Sequence, residues 1–171
     1  MSIWWSLHLR REAASVPLAR RLLLGTMETA GVDPDVSFEL SVALTEACAN
    51  AVEHGGDLSD GEASEAYRVT AYLDGETCRI EVADSGPGFP TGSRVSSGPG
   101  VSRAAPAARR AAPDAEHGRG LRLIEELADH VQFGNRTGRG GAVVSFDKIV
   151  KWRTDAPPTL WGMGGPPLAL T

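Results

Sequence analysis

Two consecutive segments near the start of the chain repeat apolar residues every three or four positions, which is the spacing of an amphipathic helix. The first segment, residues 13–30, has Ser15 as its expected N-cap and ends before Gly31. Its apolar positions are Leu18, Leu22, Leu23 and Met27. The pattern predicts a first helix over residues 13–30.

The second helical segment begins at Asp33 and Pro34 and runs to about His54. Asp33 suits an N-cap and Pro34 suits the first helical position, so the pair marks a helix start. The apolar positions that follow are Leu40, Ala43, Leu44, Ala47, Ala51 and Val52. We expect the rest of the chain to be arranged around this long central helix.

A polar stripe runs beside the apolar face of the central helix. Glu46, Asn50 and His54 are four residues apart, so their side chains stack on successive turns. The spacing fits either a solvated polar stripe or one wall of a polar cavity. His54 suits a cap or partner at the helix end as well as a direct ligand role.

The remaining apolar segments are short and predict five strands and one more helix. The strands are 3–9, 67–73, 77–83, 131–135 and 142–150, and the helix is 121–130. Asp74 and Gly75 form a hairpin turn signal between the second and third strands. The first strand is expected at an edge of the sheet.

Composition divides the chain into one domain, residues 1–151, and a tail, residues 152–171. The tail is rich in Pro and Gly and is expected outside the core. Within the domain, residues 90–116 contain mostly Gly, Ser, Pro, Ala and Arg, so they predict a mobile loop.

Charge and cysteine content exclude several classes of protein. The net charge of −5 argues against a nucleic-acid-binding protein, and no apolar run is long enough to span a membrane. The first residues lack the pattern of a signal peptide, so we expect a cytoplasmic protein. Cys48 and Cys78 match no metal-binding spacing and predict two buried thiols.

Three polar or glycine-rich segments lie at the ends of regular elements. The first is the stripe with Glu46 and Asn50. The second, residues 84–88, places an acid and two glycines after a strand, which lets backbone approach a flat ligand; taken alone, it is more typical of a turn. The third, residues 118–120, precedes the predicted third helix, where free N–H groups suit phosphate; taken alone, it is more typical of a loop and cap.

In this order the three segments resemble the N, G1 and G2 boxes of the GHKL ATPase superfamily, and most closely the anti-sigma-factor serine kinases of bacteria. The boxes correspond to residues 46–54, 84–89 and 118–121, and the resemblance covers about residues 3–150. It implies an α+β, two-layer fold with helices on one face of a mixed, mostly antiparallel sheet. ATP would lie between the central helix and the loop 90–116, which would act as a lid.

The resemblance also assigns roles to individual residues. Asn50 resembles the Mg²⁺ ligand, Glu46 the general base, and Asp84 the acid that reads adenine. The other residues that would contact ATP are Gly86, Gly88, Gly118, Arg119, Gly120 and Leu121.

The chain departs from the family pattern at three places, one of which is the Pro-rich tail, a segment with no assignable counterpart in the family. The family usually has a Thr beside the adenine-reading acid, at the start of the last strand, and residues 139–143 contain none. The lid arginines Arg103, Arg109 and Arg110 align with no known motif, and any of them suits either a γ-phosphate contact or a solvated loop.

The resemblance predicts a serine/threonine protein kinase that phosphorylates an anti-anti-sigma antagonist protein and sequesters a sigma factor, thereby regulating transcription. A homodimer through the sheet face is expected, with Trp4 and Trp5 as candidate contacts. The alternative is a catalytically weak ATP-binding module that acts by sequestration alone. The ATP-binding half of a sensor histidine kinase is disfavoured, because only about thirty residues precede the central helix and His8 lies in a strand pattern.

Overall fold

The structure, a computed structural model, describes residues 2–55, 65–86, 88, 115–136 and 140–154. Five strands and three helices lie in this part of the chain. In chain order they are β1 (Ile3–Arg10), α1 (Ser15–Ala30), α2 (Pro34–His54), β2 (Ala66–Leu73), β3 (Thr77–Ala83), α3 (Ala115–Leu127), β4 (His130–Asn135) and β5 (Ala142–Ile149). The strand boundaries agree with the sequence predictions to within one residue.

The strands form one sheet in the order β1-β2-β3-β5-β4, and each of its four pairings is antiparallel. β1 lies at an edge, as predicted. The three helices pack on one face with α2 in the middle, in contact with both α1 and α3. The predicted α+β, two-layer class is confirmed.

Alternation along each strand separates the two faces of the sheet. Val69, Ile80 and Phe146 lie on the helix-covered face and are fully buried in the core. The opposite, open face carries exposed Trp4 and Tyr72 at one end. Nearby on this face, Arg79 donates two hydrogen bonds of 2.7 Å to Asp147 on the neighbouring strand. Because the helices cover only one face, a site formed by helices and strand ends lies on that side.

The central helix α2 begins and ends where the sequence predicts. The Asp33 carboxylate accepts from the N–H of Asp35 at 2.9 Å, which confirms the N-cap. The predicted apolar face is buried, apart from Val52, which is half-buried. Cys48 also lies in the core, and both it and Cys78 are buried free thiols, as predicted.

The first helix differs from its prediction in its start and in its buried face. It begins at Ser15, and no side chain caps it. Ser15 is buried, and its hydroxyl lies 2.7 Å from the Tyr67 hydroxyl, so this residue joins the helix to β2 rather than capping it. Leu18 and Leu22 are exposed, because Ala19 and Leu23 occupy the face toward the core.

The third helix begins at Ala115, six residues before the predicted start, and ends at Leu127 rather than at residue 130. Gly118 and Gly120 therefore lie inside the helix instead of before it. The helix ends where the backbone N–H of Asp129 bonds to Asp147 of β5 and strand pairing takes over.

The chain after β5 stays in contact with the domain for a few residues. Trp152 forms a bridge with Val32, and Arg153 donates a backbone bond to Gly31. The rest of the predicted tail and most of the predicted lid, including Arg103, Arg109 and Arg110, lie outside the described residues. Among the helices of the described residues, none combines the length and apolar character needed to cross a membrane.

Candidate functional site

The G1 segment leaves the end of β3 and folds back against its own first residue. Asp84 is buried, and its Oδ1 accepts hydrogen bonds of 2.9 Å from the N–H groups of Gly86 and Ala142. These bonds hold the turn and the start of β5 around one carboxylate oxygen. Ala142 is thus the residue beside the acid at the start of the last strand, where the resemblance leads us to expect a Thr.

Gly86 packs directly on the C-terminal end of α2. A β-carbon at Gly86 would lie 2.7 Å from the carbonyl oxygen of His54 and 2.7 Å from the carbonyl carbon of Gly55. A β-carbon at Gly55 would likewise lie 2.8 Å from the Asp84 β-carbon. Both close approaches require glycine. Because neither residue has a side chain, the backbone of the G1 segment can pack against the end of the N-box helix.

Gly88 meets the other strands of the sheet. Its φ of 78° is in the left-handed region, and a β-carbon there would lie 2.5 Å from Asn135 Oδ1. Gly141, with a φ of 107°, closes the same corner against the backbone of Asp84. Asn135 and Gly141 were not singled out from the sequence, because their positions depend on β4 and β5 pairing with strands distant along the chain.

The third segment approaches α2 one and two turns before its end. A β-carbon at Gly120 would lie 2.8 Å from Glu46 Oε2 and 3.6 Å from Asn50 Oδ1. Gly120 therefore occupies the space in front of both polar side chains of the N box. Leu121, the next residue, is half-buried and packs on the core, whereas Arg119 is exposed.

The early start of α3 changes the expected use of its backbone. Only the first four N–H groups of a helix lack partners within it. In a helix that begins at Ala115, these groups precede Gly118. The N–H groups of residues 118–120 are therefore used in hydrogen bonds within the helix. The prediction that these glycines supply free backbone donors to phosphate does not match this helix boundary.

Asn50 carries a buried donor with no partner. Its Nδ2 makes no hydrogen bond within the described part of the chain, although water cannot reach it. An unpaired buried donor costs about 1–3 kcal/mol, so its presence favours a ligand at this point. A carbonyl oxygen on the same side chain suits Mg²⁺, which takes few protein ligands when it also contacts phosphate.

The structure therefore brings the three predicted segments together along the last two and a half turns of α2. The G2 segment contacts Glu46 and Asn50, and the G1 segment contacts His54 and Gly55. Glu46 and Asn50 of the polar stripe accordingly face another part of the chain, whereas the His54 side chain is 40% exposed. Within the described residues no group of three or more His, Cys, Asp or Glu side chains could hold a metal ion by itself.

Comparison with known proteins identifies this arrangement. Residues 9–148 match the family model described as Histidine kinase-like ATPase domain. Among curated proteins, none matches the chain significantly.

Two of the solved structures similar to this chain are from mycobacteria, and the first of them shares its fold. One is the crystal structure of the RsbU and RsbW domains of Rv1364c from Mycobacterium tuberculosis, with a TM-score of 0.56 and 20% identity over 86% of this chain. This chain spans only 33% of that protein. The other is the mycobacterial sensor histidine kinase MprB, with a TM-score of 0.45 and 14% identity, covering 87% of this chain and 100% of that one.

Proposed function

The chain belongs to the histidine kinase-like ATPase domain family, and we propose that it is an ATP-dependent serine/threonine protein kinase of the anti-sigma-factor type. Membership makes the chain an ATP-binding domain of the GHKL kind. The finer proposal adds the acceptor, a serine or threonine of an anti-anti-sigma antagonist protein, and the second partner, a sigma factor that the kinase sequesters.

The contact between Gly120 and the pair Glu46 and Asn50 carries the proposal. It places a carboxylate and an amide next to each other at one end of the site, whereas Asp84 lies at the other end. From Glu46 to Gly55 the helix rises about 13 Å at 1.5 Å per residue. An extended nucleotide fits this separation, with its base near Asp84 and its phosphates near Asn50.

Each end of the site then has a distinct task. Asp84 uses Oδ1 to hold backbone N–H groups and keeps its second oxygen to accept from the adenine amino group. Asn50 would hold Mg²⁺ through Oδ1 and direct Nδ2 toward a phosphate oxygen. Mg²⁺ with ATP supplies an activated γ-phosphoryl group.

Glu46 would act as the general base. It accepts the proton from the acceptor hydroxyl as that oxygen forms a bond to the γ-phosphorus and the β–γ bond breaks, releasing ADP. Glu46 is half-buried and lies one turn from Asn50, so the base and the phosphate-binding amide share one helix face.

Phosphate transfer from labelled ATP to a candidate antagonist protein tests this proposal. Glu46→Gln should lower the transfer rate by about 10²–10⁴-fold while ATP still binds, because it removes only proton acceptance. Glu53→Gln is the matched control, since Glu53 is an exposed carboxylate on the same helix. Equal rates in the two variants would contradict the role of Glu46.

A second candidate, an ATP-binding module that acts by sequestration without catalysis, is favoured by Ala142. This residue donates its N–H to Asp84 but offers no hydroxyl where the family has one. In that case the wild-type protein would bind a sigma factor equally well with and without ATP, and Glu46→Gln would change nothing. The transfer assay and a sigma-factor binding assay together separate the two candidates.

A further inference from the structure

A cavity of about 220 Å³ opens on the face of the sheet that the helices leave uncovered. Its walls carry three basic side chains, His8, Arg68 and Arg136, together with the hydroxyl of Ser85. Arg68, Ser85 and Arg136 are half-buried, whereas His8 is exposed at the edge of the cavity. We call this feature the basic cavity; its concentration of positive charge is notable in a chain with a net charge of −5.

Strand register explains why the basic cavity exists. His8 of β1 pairs with Arg68 of β2, which pairs with Ala83 of β3, so the three lie in one row across the sheet. Ala83 and the neighbouring Ala66 have short side chains, and they leave an open floor between longer neighbours. Arg136, just after β4, and Ser85, just after β3, close the end of the row.

The basic side chains use only some of their N–H donors in hydrogen bonds or ion pairs with other groups of the protein. Arg68 reaches Glu81 at 3.8 Å, a loose contact between side chains that are 43% and 40% exposed. Arg136 donates to the backbone oxygen of Asp84 at 3.4 Å, near the limit of a hydrogen bond. Since each guanidinium has five N–H donors, most remain available. Within the described residues, the His8 side chain makes no hydrogen bond or ion pair.

We propose that the basic cavity binds a phosphate group. Two guanidinium groups that line one cavity can each direct paired N–H donors at one tetrahedral oxyanion, and such charge-assisted bonds are the strong ones. His8 and Ser85 add an imidazole and a hydroxyl donor. The volume exceeds that of a bare phosphate ion, so both free phosphate and the phosphate of a phosphorylated side chain fit.

This site is separate from the proposed nucleotide site. His8 and Arg68 lie on the open face of the sheet, whereas Glu46 and Asn50 lie on the helix layer that covers the other face. The sheet stands between these two pairs, and only the end of the basic cavity, at Ser85 and Arg136, adjoins Asp84. We therefore expect ATP not to compete for the basic cavity. The proposal does not depend on kinase activity.

Titration with two probes, followed by ³¹P NMR or calorimetry, tests this inference. The probes are inorganic phosphate and N-acetyl-phosphoserine amide. Arg68→Met and His8→Ala should each weaken binding by about ten-fold, the loss of one charge-assisted contact. Arg21→Met, on the exposed side of α1, is the matched control and should bind as wild type does.

The relative affinities of the two probes distinguish the two sources of the phosphate group. Tighter binding of the phosphoserine amide identifies a phosphorylated side chain as the ligand, and equal binding of both probes identifies free phosphate. Ser85→Asp, which adds a negative charge at the rim, should abolish either. No saturable binding by the folded wild type, equal binding by Arg68→Met and Arg21→Met, or displacement of the probe by ATP with Mg²⁺ would overturn the proposal.

Discussion

Gly120 lies against the Glu46 carboxylate, so close that a β-carbon at Gly120 would stand 2.8 Å from Oε2. The contact joins α3 to α2 at the proposed catalytic base. Gly120→Ala should therefore fold normally, because the atom that must move is the end of a flexible side chain. Asn50 would remain in ordinary contact at 3.6 Å.

We expect Gly120→Ala to lower phosphate transfer by about 10–100-fold at saturating ATP, since a displaced base loses its alignment. ATP affinity should change much less. Steady-state measurement of kcat and KM for ATP checks this. Gly25→Ala, which places a methyl group in open space on α1, is the control. A normal kcat in Gly120→Ala would contradict the position assigned to Glu46.

Substitutions at Gly86 and Gly25 distinguish the effect of close packing on stability from the effect of backbone entropy. A β-carbon at Gly86 would meet the backbone of His54 and Gly55 at 2.7 Å, whereas nothing lies within 4 Å of one at Gly25. Gly86→Ala should destabilise the protein by about 1–3 kcal/mol, because backbone cannot move aside cheaply. Gly25→Ala should stabilise it by about 0.5–1 kcal/mol. Urea unfolding measures both, and changes of the same sign would contradict the packing described here.

Asp84 has a structural task and a proposed recognition task that two substitutions can separate. Asp84→Ala leaves the N–H groups of Gly86 and Ala142 without their acceptor and should cost about 1–3 kcal/mol of stability. Asp84→Asn can keep an acceptor at that position while changing the group offered to adenine. It should retain most of the stability yet bind ATP about ten-fold more weakly or worse. Full ATP affinity in Asp84→Asn would argue against adenine recognition by this side chain.

The buried thiols predict how stability responds to alkaline pH. Burial raises the pKa of Cys48 from 9.0 to about 12, and the pKa of Cys78 also rises to about 12. Below pH 9 the thiols are protonated in both states and have no effect. Between pH 9 and 12 the unfolded chain loses these protons while the folded chain keeps them, so stability falls.

Each thiol contributes a decline of up to about 1.4 kcal/mol per pH unit in this window. Urea unfolding of wild type and Cys48→Ala at pH 8, 10 and 11 checks this, and the variant should show the shallower decline. Neither thiol should react with an aromatic disulfide reagent at pH 8 until the protein unfolds. Parallel pH profiles, or rapid reaction of the native protein, would contradict the burial.

The central helix and the hairpin were predictable because their signals are local. Asp33 with Pro34 marks a helix start whatever surrounds it, and Asp74 accepts from Glu76 and Thr77 within the turn that it marks. The start of α3 was not predictable, since glycine has low helix propensity and two glycines suggest a loop. Gly120 approaches Glu46 from within this helix, and the sequence carries no local signal for a contact between residues so far apart.

The candidate site was predictable as a set of residues but not as a set of contacts. The spacing of Glu46 and Asn50 places them on one face by helix geometry alone. The hydrogen bond from Ala142 to Asp84 joins residues 58 positions apart, and only the pairing of β3 with β5 creates it. The same holds for the basic cavity, where the register of β1, β2 and β3 sets the neighbours.

The central claim is that Asn50, Glu46 and Asp84 surround one ATP with its Mg²⁺. Calorimetric titration with ATP, with and without Mg²⁺, tests it on wild type, Asn50→Ala and Gln132→Ala, the last an exposed amide on β4. We predict one ATP per chain, bound more tightly with Mg²⁺ by wild type and Gln132→Ala, and loss of this Mg²⁺ effect in Asn50→Ala. Failure of the folded wild type to bind ATP, or an unchanged Mg²⁺ effect in Asn50→Ala, would contradict the claim.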